Sequence, residues 1–405
     1  MNILYVCHRF PYPAKDGSRV RSFNIIEHFR QQGHRVWVSS MARDENEQRQ
    51  GQGIIEYCHE FTMARTVEWV QKLRMVGRLF TTEPSSMGYF YCRTMQRQIN
   101  QLLAQHDFDL IYVHCSSVAQ YVSDVEGIPK ILDYVDMDSQ KWLSFAQYKA
   151  FPLNLGYRLE GTKLAAEERK LSAKFDLCTT ITRAECDTLE ELALNGLNDW
   201  FSNGVDSQYF VPHSHGYNNH QVCFIGRMDY YPNEQAVTDF CHQVLPLLKQ
   251  KIPDATFLIV GAAPTDNVKK LANIDGVTVT GFVDDVRDYV RKSAVMVAPL
   301  SIARGTQNKI LETMALGVPV VTSDVGARGI DGDSINDFVV ANSPMEYCDA
   351  VVQMMTNELV RQRYAKAGRK RIEENYSWSY VLMRLDNLID DIATTPKGIT
   401  TNVNL

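Results

Sequence analysis

Residues 294–329, AVMVAPLSIARGTQNKILETMALGVPVVTSDVGARG, place an apolar run, a glycine turn and a helical run in series, with charged residues at the joint. Residues 295–300 have the β-branched composition of a buried parallel strand. Ile310, Leu311, Met314 and Ala315 recur at helical spacing. Between them stand Arg304, Gly305, Thr306, Gln307, Asn308 and Lys309. A glycine and small polar residues at a helix start offer unpaired backbone N–H groups and the positive end of the helix dipole, which together favour a phosphate. Lys309 adds a full charge. One turn on, Glu312 shares a face with Asn308 and Lys309 and has the reach to hydrogen-bond sugar hydroxyls. Diphosphate plus polyol describes a nucleotide or a nucleotide sugar.

The elements that must position these groups follow a repeated rhythm. Short apolar runs at 3–6, 36–39, 110–113, 130–132 and 178–181 alternate with longer amphipathic ones, which predicts a parallel sheet wrapped by helices. The rhythm restarts at 222–225, 256–260, 277–280, 295–298 and 318–322. Residues 211–220, VPHSHGYNNH, are polar and aperiodic and read as a linker. His213, His215 and His220 within it have no ordered scaffold for a metal and read as solvated loop. Ligands of open α/β sheets bind beyond the carboxyl ends of the strands, so two such sheets facing each other predict a site between domains.

The 294–329 segment resembles the donor-site signature of the retaining glycosyltransferases of family four, which have the GT-B fold. Glu312 and the run Gly317-Val318-Pro319-Val320-Val321 match; eight residues before Glu312 the family has an acidic residue and this chain has Arg304. The resemblance extends through most of the chain. The amino end resembles the family's first strand, glycine loop and helix, with Gly17 at one glycine position and Asp16 at the other. FDLIYVH, ending at His114, NGVD at 203–206, CFIGRMDYYPNEQA from Cys223, and TVTGFVDDV from Thr278 follow in the family's order. Within the family the match is to sugar transferases associated with bacterial exopolysaccharide synthesis.

The resemblance implies an α/β, GT-B architecture: two Rossmann-like domains, 1–202 on the acceptor side and 203–376 for the donor, with 377–405 carrying a helix back to the first. It also implies transfer of a sugar from a nucleotide-diphosphate donor to a glycan or lipid-linked acceptor with retention, needing neither a cofactor nor a metal. His114 would lie near the reacting centre. Arg227, which directly follows the strand CFIG, and Lys309 would stabilise the departing diphosphate, and Glu312 would orient the donor. Gly17 and residues Arg304, Gly305, Thr306, Gln307 and Asn308 would line the donor, with Phe282 and Val283 bordering the base.

Asp136-Met137-Asp138 is formally a DxD, which elsewhere holds a cation on a diphosphate. Here the phosphate partners already stand in the other domain, so Asp133, Asp136 and Asp138 read as an acidic acceptor-side patch or a helix cap. In residues 65–80, Trp69, Leu73, Val76 and Phe80 share helical spacing among Arg65, Lys72, Arg74 and Arg78. That pattern suits either an anionic membrane surface or ordinary core packing.

The 405 residues exceed the span of one hydrophobic core and predict two domains. Hydrophobic content of 45% and charged content of 22% describe an ordinary globular protein, and a net charge of −6 argues against a nucleic-acid partner. Nine cysteines without a CxxC pair predict reduced, buried thiols. With no signal-like start and no run of 18 apolar residues, the expected location is the cytoplasm, including its membrane face. Two alternatives share the architecture: a nucleotide-sugar epimerase and a non-catalytic nucleotide-sugar-binding subunit. A dinucleotide oxidoreductase is disfavoured, because CHRFPYPAKDG follows the first strand in place of GxGxxG.

Overall fold

The computed structural model describes residues 1–14, 17–192, 196–213, 216–330 and 336–394. The chain divides into two compact units, 1–202 with the chain from 382 onward, and 203–381. Each unit is built on one parallel sheet. The first contains β1 (Asn2–Cys7), β2 (Arg35–Ala42), β3 (Glu60–Arg65), β4 (Leu110–His114), β5 (Lys130–Val135), β6 (Leu177–Thr180) and β7 (Leu197–Trp200), in the order β3-β2-β1-β4-β5-β6-β7. The second contains β8 (Asn218–Ile225), β9 (Thr256–Val260), β10 (Val277–Val279), β11 (Ser293–Ala298), β12 (Val320–Thr322) and β13 (Val339–Val340), in the order β10-β9-β8-β11-β12-β13. These are the two Rossmann-like α/β sheets expected from the alternating pattern.

Burial explains which strands the pattern revealed. The central strands β1, β4 and β11 are buried almost throughout, as a parallel sheet covered on both faces requires. The three that carried no signal, β3, β7 and β13, stand at sheet edges and are partly exposed, so their residues are mixed in polarity. The predicted linker is shorter than expected: residues 218–220 already belong to β8, and His220 pairs with Asp254. His213 precedes that strand, and His215 lies outside the described residues.

A buried ion pair ties the first unit together. Arg21, on helix Gly17–Gln31, donates from Nε to Asp133 Oδ2 (2.8 Å) and from Nη2 to Oδ1 (3.2 Å), and Nη1 reaches the carbonyls of Phe201 and Ser202 (3.1 Å each). Its guanidinium carbon lies 3.8 Å from the centre of the Phe201 ring. Helix Trp378–Thr394 starts in the second unit and ends in the first. There Arg384 meets Asp199 (2.6 Å) and Asp386 meets His28 (2.8 Å).

Strand order reverses beside the first strand of each sheet, between β1 and β4 and between β8 and β11. Loops leaving the carboxyl ends of such a pair diverge and leave a crevice, the usual ligand position in this architecture. His114 ends β4, Gly226 and Arg227 follow β8, and residues 299–307 follow β11.

Candidate active site

In the second unit the crevice is shaped by close backbone approach. A side chain at Gly261 would place its Cβ 1.7 Å from the carbonyl oxygen of Gly226, and one at Gly329 would lie 2.0 Å from that of Gly305. Only glycine lets these turns nest. Gly305 itself has φ of 61°. The turn from Arg304 to Gln307 is half-buried and braced by Gln307 Nε2, which donates to the Arg304 carbonyl (3.0 Å).

Helix Asn308–Ala315 then begins without a side-chain cap at Gln307. Among the described residues its first amide with an acceptor is that of Ile310, on Gln307 O (2.8 Å). Thr306 Oγ1, just before the helix, is buried with no hydrogen-bond partner among the described residues. An uncapped helix start beside an unsatisfied buried hydroxyl leaves donors that an anion with several oxygens can accept from. Asn308 is held by Asn203 Nδ2, which donates to its Oδ1 (3.1 Å).

Lys309 is the second residue of this helix. Its Nζ donates to Asn233 Oδ1 (2.5 Å) and lies 4.6 Å from the centre of the Phe224 ring. Burial pulls its pKa down to about 7, against the smaller upward pull of Glu312. Burial likewise pushes Glu312 up to about 7, with Lys309 opposing. The two groups, one turn apart, therefore titrate as a coupled pair near neutrality. Perturbed groups of this kind concentrate at functional sites.

Arg227 stands otherwise than a cation fixed over the phosphate turn. Its side chain is two-thirds exposed and doubly bonded to Asp229, Nε to Oδ1 at 3.0 Å and Nη2 to Oδ2 at 2.6 Å. Its carbonyl accepts from Asn233 Nδ2 (2.8 Å). Asn233 was not singled out in the sequence. It is 5% exposed, near the start of helix Tyr231–Asp239, and clamps the β8 turn to Lys309 with the two ends of one amide. An asparagine two residues into a Tyr-Tyr-Pro helix start carries no sequence signal for that role. Phe282 and Val283 follow β10 after Gly281 (φ 70°); Phe282 is 75% exposed, and Val283 packs against the core.

In the first unit, Gly17 opens helix Gly17–Gln31, and Asp16 lies outside the described residues. His114 and Asp133 are register partners on β4 and β5, with His114 Nδ1 3.4 Å from Asp133 Oδ2. The His8 ring stacks on His114, with centroids 5.9 Å apart. Asp133 does not reach an acceptor. It is fully buried and accepts from Arg21, Tyr112 Oη (3.0 Å) and Thr179 Oγ1 (3.2 Å). Burial alone would raise its pKa, but Arg21 and His114 outweigh this and hold it below the usual carboxylate range. The backbone is strained at both strand ends, with φ of 84° at Cys115 and 68° at Val135.

Asp136 and Asp138 follow Val135 at the start of helix Asp138–Tyr148. Asp136 Oδ1 has no hydrogen-bond partner among the described residues, and burial, then Glu185 and Asp138, push its pKa up to about 7. Asp138 sits 3.7 Å from Lys141, and burial raises its pKa too. Behind them, Glu168 accepts from the Ser139 amide (3.1 Å) and is pushed by burial to about 8. A carboxyl with a raised folded pKa binds its proton more tightly in the native state, so stability falls as pH rises from about 4.5 to about 8. Glu168→Gln should flatten that fall and add about 2–4 kcal/mol at pH 9, with little effect at pH 4. Urea unfolding at the two pH values measures this, and an equal change at both would contradict it. Among the described residues no group of three or more His, Cys, Asp or Glu is arranged to hold a metal ion.

Residues 219–357 match the family model described as glycosyl transferases group 1. The phosphatidyl-myo-inositol mannosyltransferase of Mycobacterium leprae is 28% identical over 209 residues, 50% of this chain and 53% of that one. That match spans about half the relative's length. Two solved structures share the fold across nearly the whole chain. Sucrose-phosphate synthase of Thermosynechococcus elongatus has a TM-score of 0.71 at 14% identity, covering 97% of this chain and 99% of that one. HepE of Anabaena, in complex with UDP and glucose, has a TM-score of 0.67 at 14% identity, covering 96% and 100%.

Proposed function

We propose that this chain, a GT-B enzyme of the glycosyltransferase type with a group 1 domain in its second unit, transfers a sugar from a nucleoside-diphosphate donor to a hydroxyl acceptor with retention of configuration. The observation that carries the donor class is the start of helix Asn308–Ala315. There uncapped amides, the unsatisfied Thr306 hydroxyl and Lys309 converge where the strand order of the second sheet reverses. Lys309 and the helix amides stabilise the departing diphosphate, Glu312 hydrogen-bonds donor hydroxyls, and His114 acts in the first unit by position and polarity. Phe282 presents an exposed ring for the nucleobase.

The acceptor in this reading is a glycan or a lipid-linked carrier, and the pathway is exopolysaccharide or cell-surface glycan synthesis at the cytoplasmic membrane face. The name of the mycobacterial relative, with its lipid acceptor, supports a lipid-linked class. No helix among the described residues is long and apolar enough to cross a membrane, so residues 65–80 would supply surface attachment only.

The direct test is thermal unfolding against a panel of nucleoside diphosphates and nucleotide sugars. A ligand at a hundred times its Kd adds about 2.7 kcal/mol, which is about 5–10 °C in Tm for domains of this size. The expected result is stabilisation by one nucleoside diphosphate that Lys309→Ala abolishes. Stabilisation by none, or one indifferent to Lys309→Ala, would contradict the donor site.

A further inference from the structure

Helix Glu68–Arg78 is built inside out. Its inward face is polar: Gln71, 3% exposed, donates to the carbonyls of Tyr89 (2.6 Å) and Tyr91 (3.1 Å), and Arg74 donates to Tyr91 O (2.6 Å). Its outward face carries Trp69 (65% exposed), Leu73 and Val76, and the ridge continues past the helix end to Phe80 (87%). A helix of a globular protein normally points its apolar stripe inward. Nothing in the first unit's core therefore accounts for this face.

A second ridge joins it. Lys163, on helix Leu153–Ser172, donates from Nζ to the carbonyls of Arg78 and Leu79 (3.0 Å each), which docks that helix against the end of the first. One and two turns before Lys163, on the same face, stand the exposed Leu159 and Leu155, and Phe151 (80% exposed) leads into the helix. Most of the exposed large apolar side chains of the first unit fall within 67–80 and 148–159.

The charge around these ridges is opposite to that of the whole chain, which is −6. Arg65, Lys72, Arg74, Arg78, Lys149, Arg158 and Lys163 stand against Glu68, Glu83 and Glu160. Glu160 is buried, accepting from the Ser85 and Ser86 amides (2.8 Å each). Cations outnumber acids even with Lys72 paired to Glu68, Arg78 to Glu83 and Arg65 to Glu45 from a neighbouring helix.

We propose that the two ridges form one surface that rests on an anionic lipid bilayer. Trp69, Phe80 and Phe151 enter the headgroup boundary, and the exposed Arg65, Lys72 and Arg158 lie at phosphate level, their aliphatic stems along the apolar ridge. Separate, highly exposed prongs flanked by cations suit a deformable lipid interface better than a rigid protein partner, which would require a continuous complementary surface. The proposal deepens the membrane contact assigned above to residues 65–80 by adding a second element, and it is independent of the donor chemistry.

Co-sedimentation of the full chain with vesicles tests it. The expected result is binding to vesicles of phosphatidylcholine with about one-third phosphatidylglycerol, weak binding to phosphatidylcholine alone, and loss of binding at high salt. Trp69→Glu with Phe80→Glu, and separately Phe151→Glu with Leu155→Glu, should each weaken binding about tenfold or more without lowering Tm. Arg158→Glu, at an exposed position, should act in the same direction with Tm unchanged. Failure of the parent to bind anionic vesicles overturns the proposal. So does binding that survives both apolar pairs, or a parent dimer that the same substitutions dissociate and vesicles do not, which would assign the face to a second copy. Because nucleotide binding is not part of this assay, failure here leaves the donor assignment standing, and the reverse holds.

Discussion

Lys309→Ala is expected to reduce sugar transfer by about a hundredfold or more, the loss seen when one preorganised stabiliser of a developing negative charge is removed. Folding should not suffer. Burial already disfavours the ammonium, so the native state holds this lysine at a cost that alanine removes. The same burial makes the reaction pH-dependent. With its pKa near 7, unliganded Lys309 is mostly neutral at pH 8, whereas an arriving diphosphate stabilises the charged form and raises that value. Binding should therefore take up a proton, and nucleoside diphosphate affinity should weaken as pH rises from about 7 toward 9. Titration calorimetry at pH 8 in two buffers of different ionisation enthalpy measures the uptake directly. Asn233→Ala frees the Lys309 ammonium and the turn at Arg227 together, and should cost about tenfold, mostly in KM. Wild-type rates in Lys309→Ala, or binding without proton uptake, would remove Lys309 from the phosphate site.

Arg21→Ala should be the most destabilising single change in the first unit. It leaves Asp133 charged and fully buried, with neutral donors at Tyr112 and Thr179 and His114 beside it, and it strips two donors from the carbonyls of Phe201 and Ser202. Breaking a buried pair from one side costs about 3–5 kcal/mol, or about 6–20 °C in Tm for a domain of this size. Much of that penalty is the uncompensated carboxylate. Asp133→Asn added to Arg21→Ala should therefore recover part of the loss, though Asp133→Asn alone destabilises. A double variant no more stable than Arg21→Ala would show that the arginine acts through the backbone carbonyls and not through the ion pair.

Arg21 and Asp133 also mark the limit of what the sequence showed. Asp133 stood in an acidic tract and read as surface chemistry, because neither residue type nor spacing reveals a partner 112 positions away. In Asn233 the reverse happened, an unremarkable amide becoming the clamp between the turn after β8 and Lys309 once helix Tyr231–Asp239 was packed beside β8.

Two sheets, their central strands and the glycine turn into a helix at 304–309 were legible in the residues alone. Each of these is a local pattern: two-sided burial makes a strand continuously apolar, and a glycine before an uncapped helix start is contiguous in the chain. Tertiary structure alone decided the edge strands β3, β7 and β13, the turning of Arg227 to Asp229, the pairing of Lys309 with Asn233, and the outward apolar face of helix Glu68–Arg78. Those features depend on which residues meet across the fold. The same helical periodicity is compatible with a stripe that faces the core or the solvent, and only the neighbours at Tyr89 and Tyr91 set which side is buried.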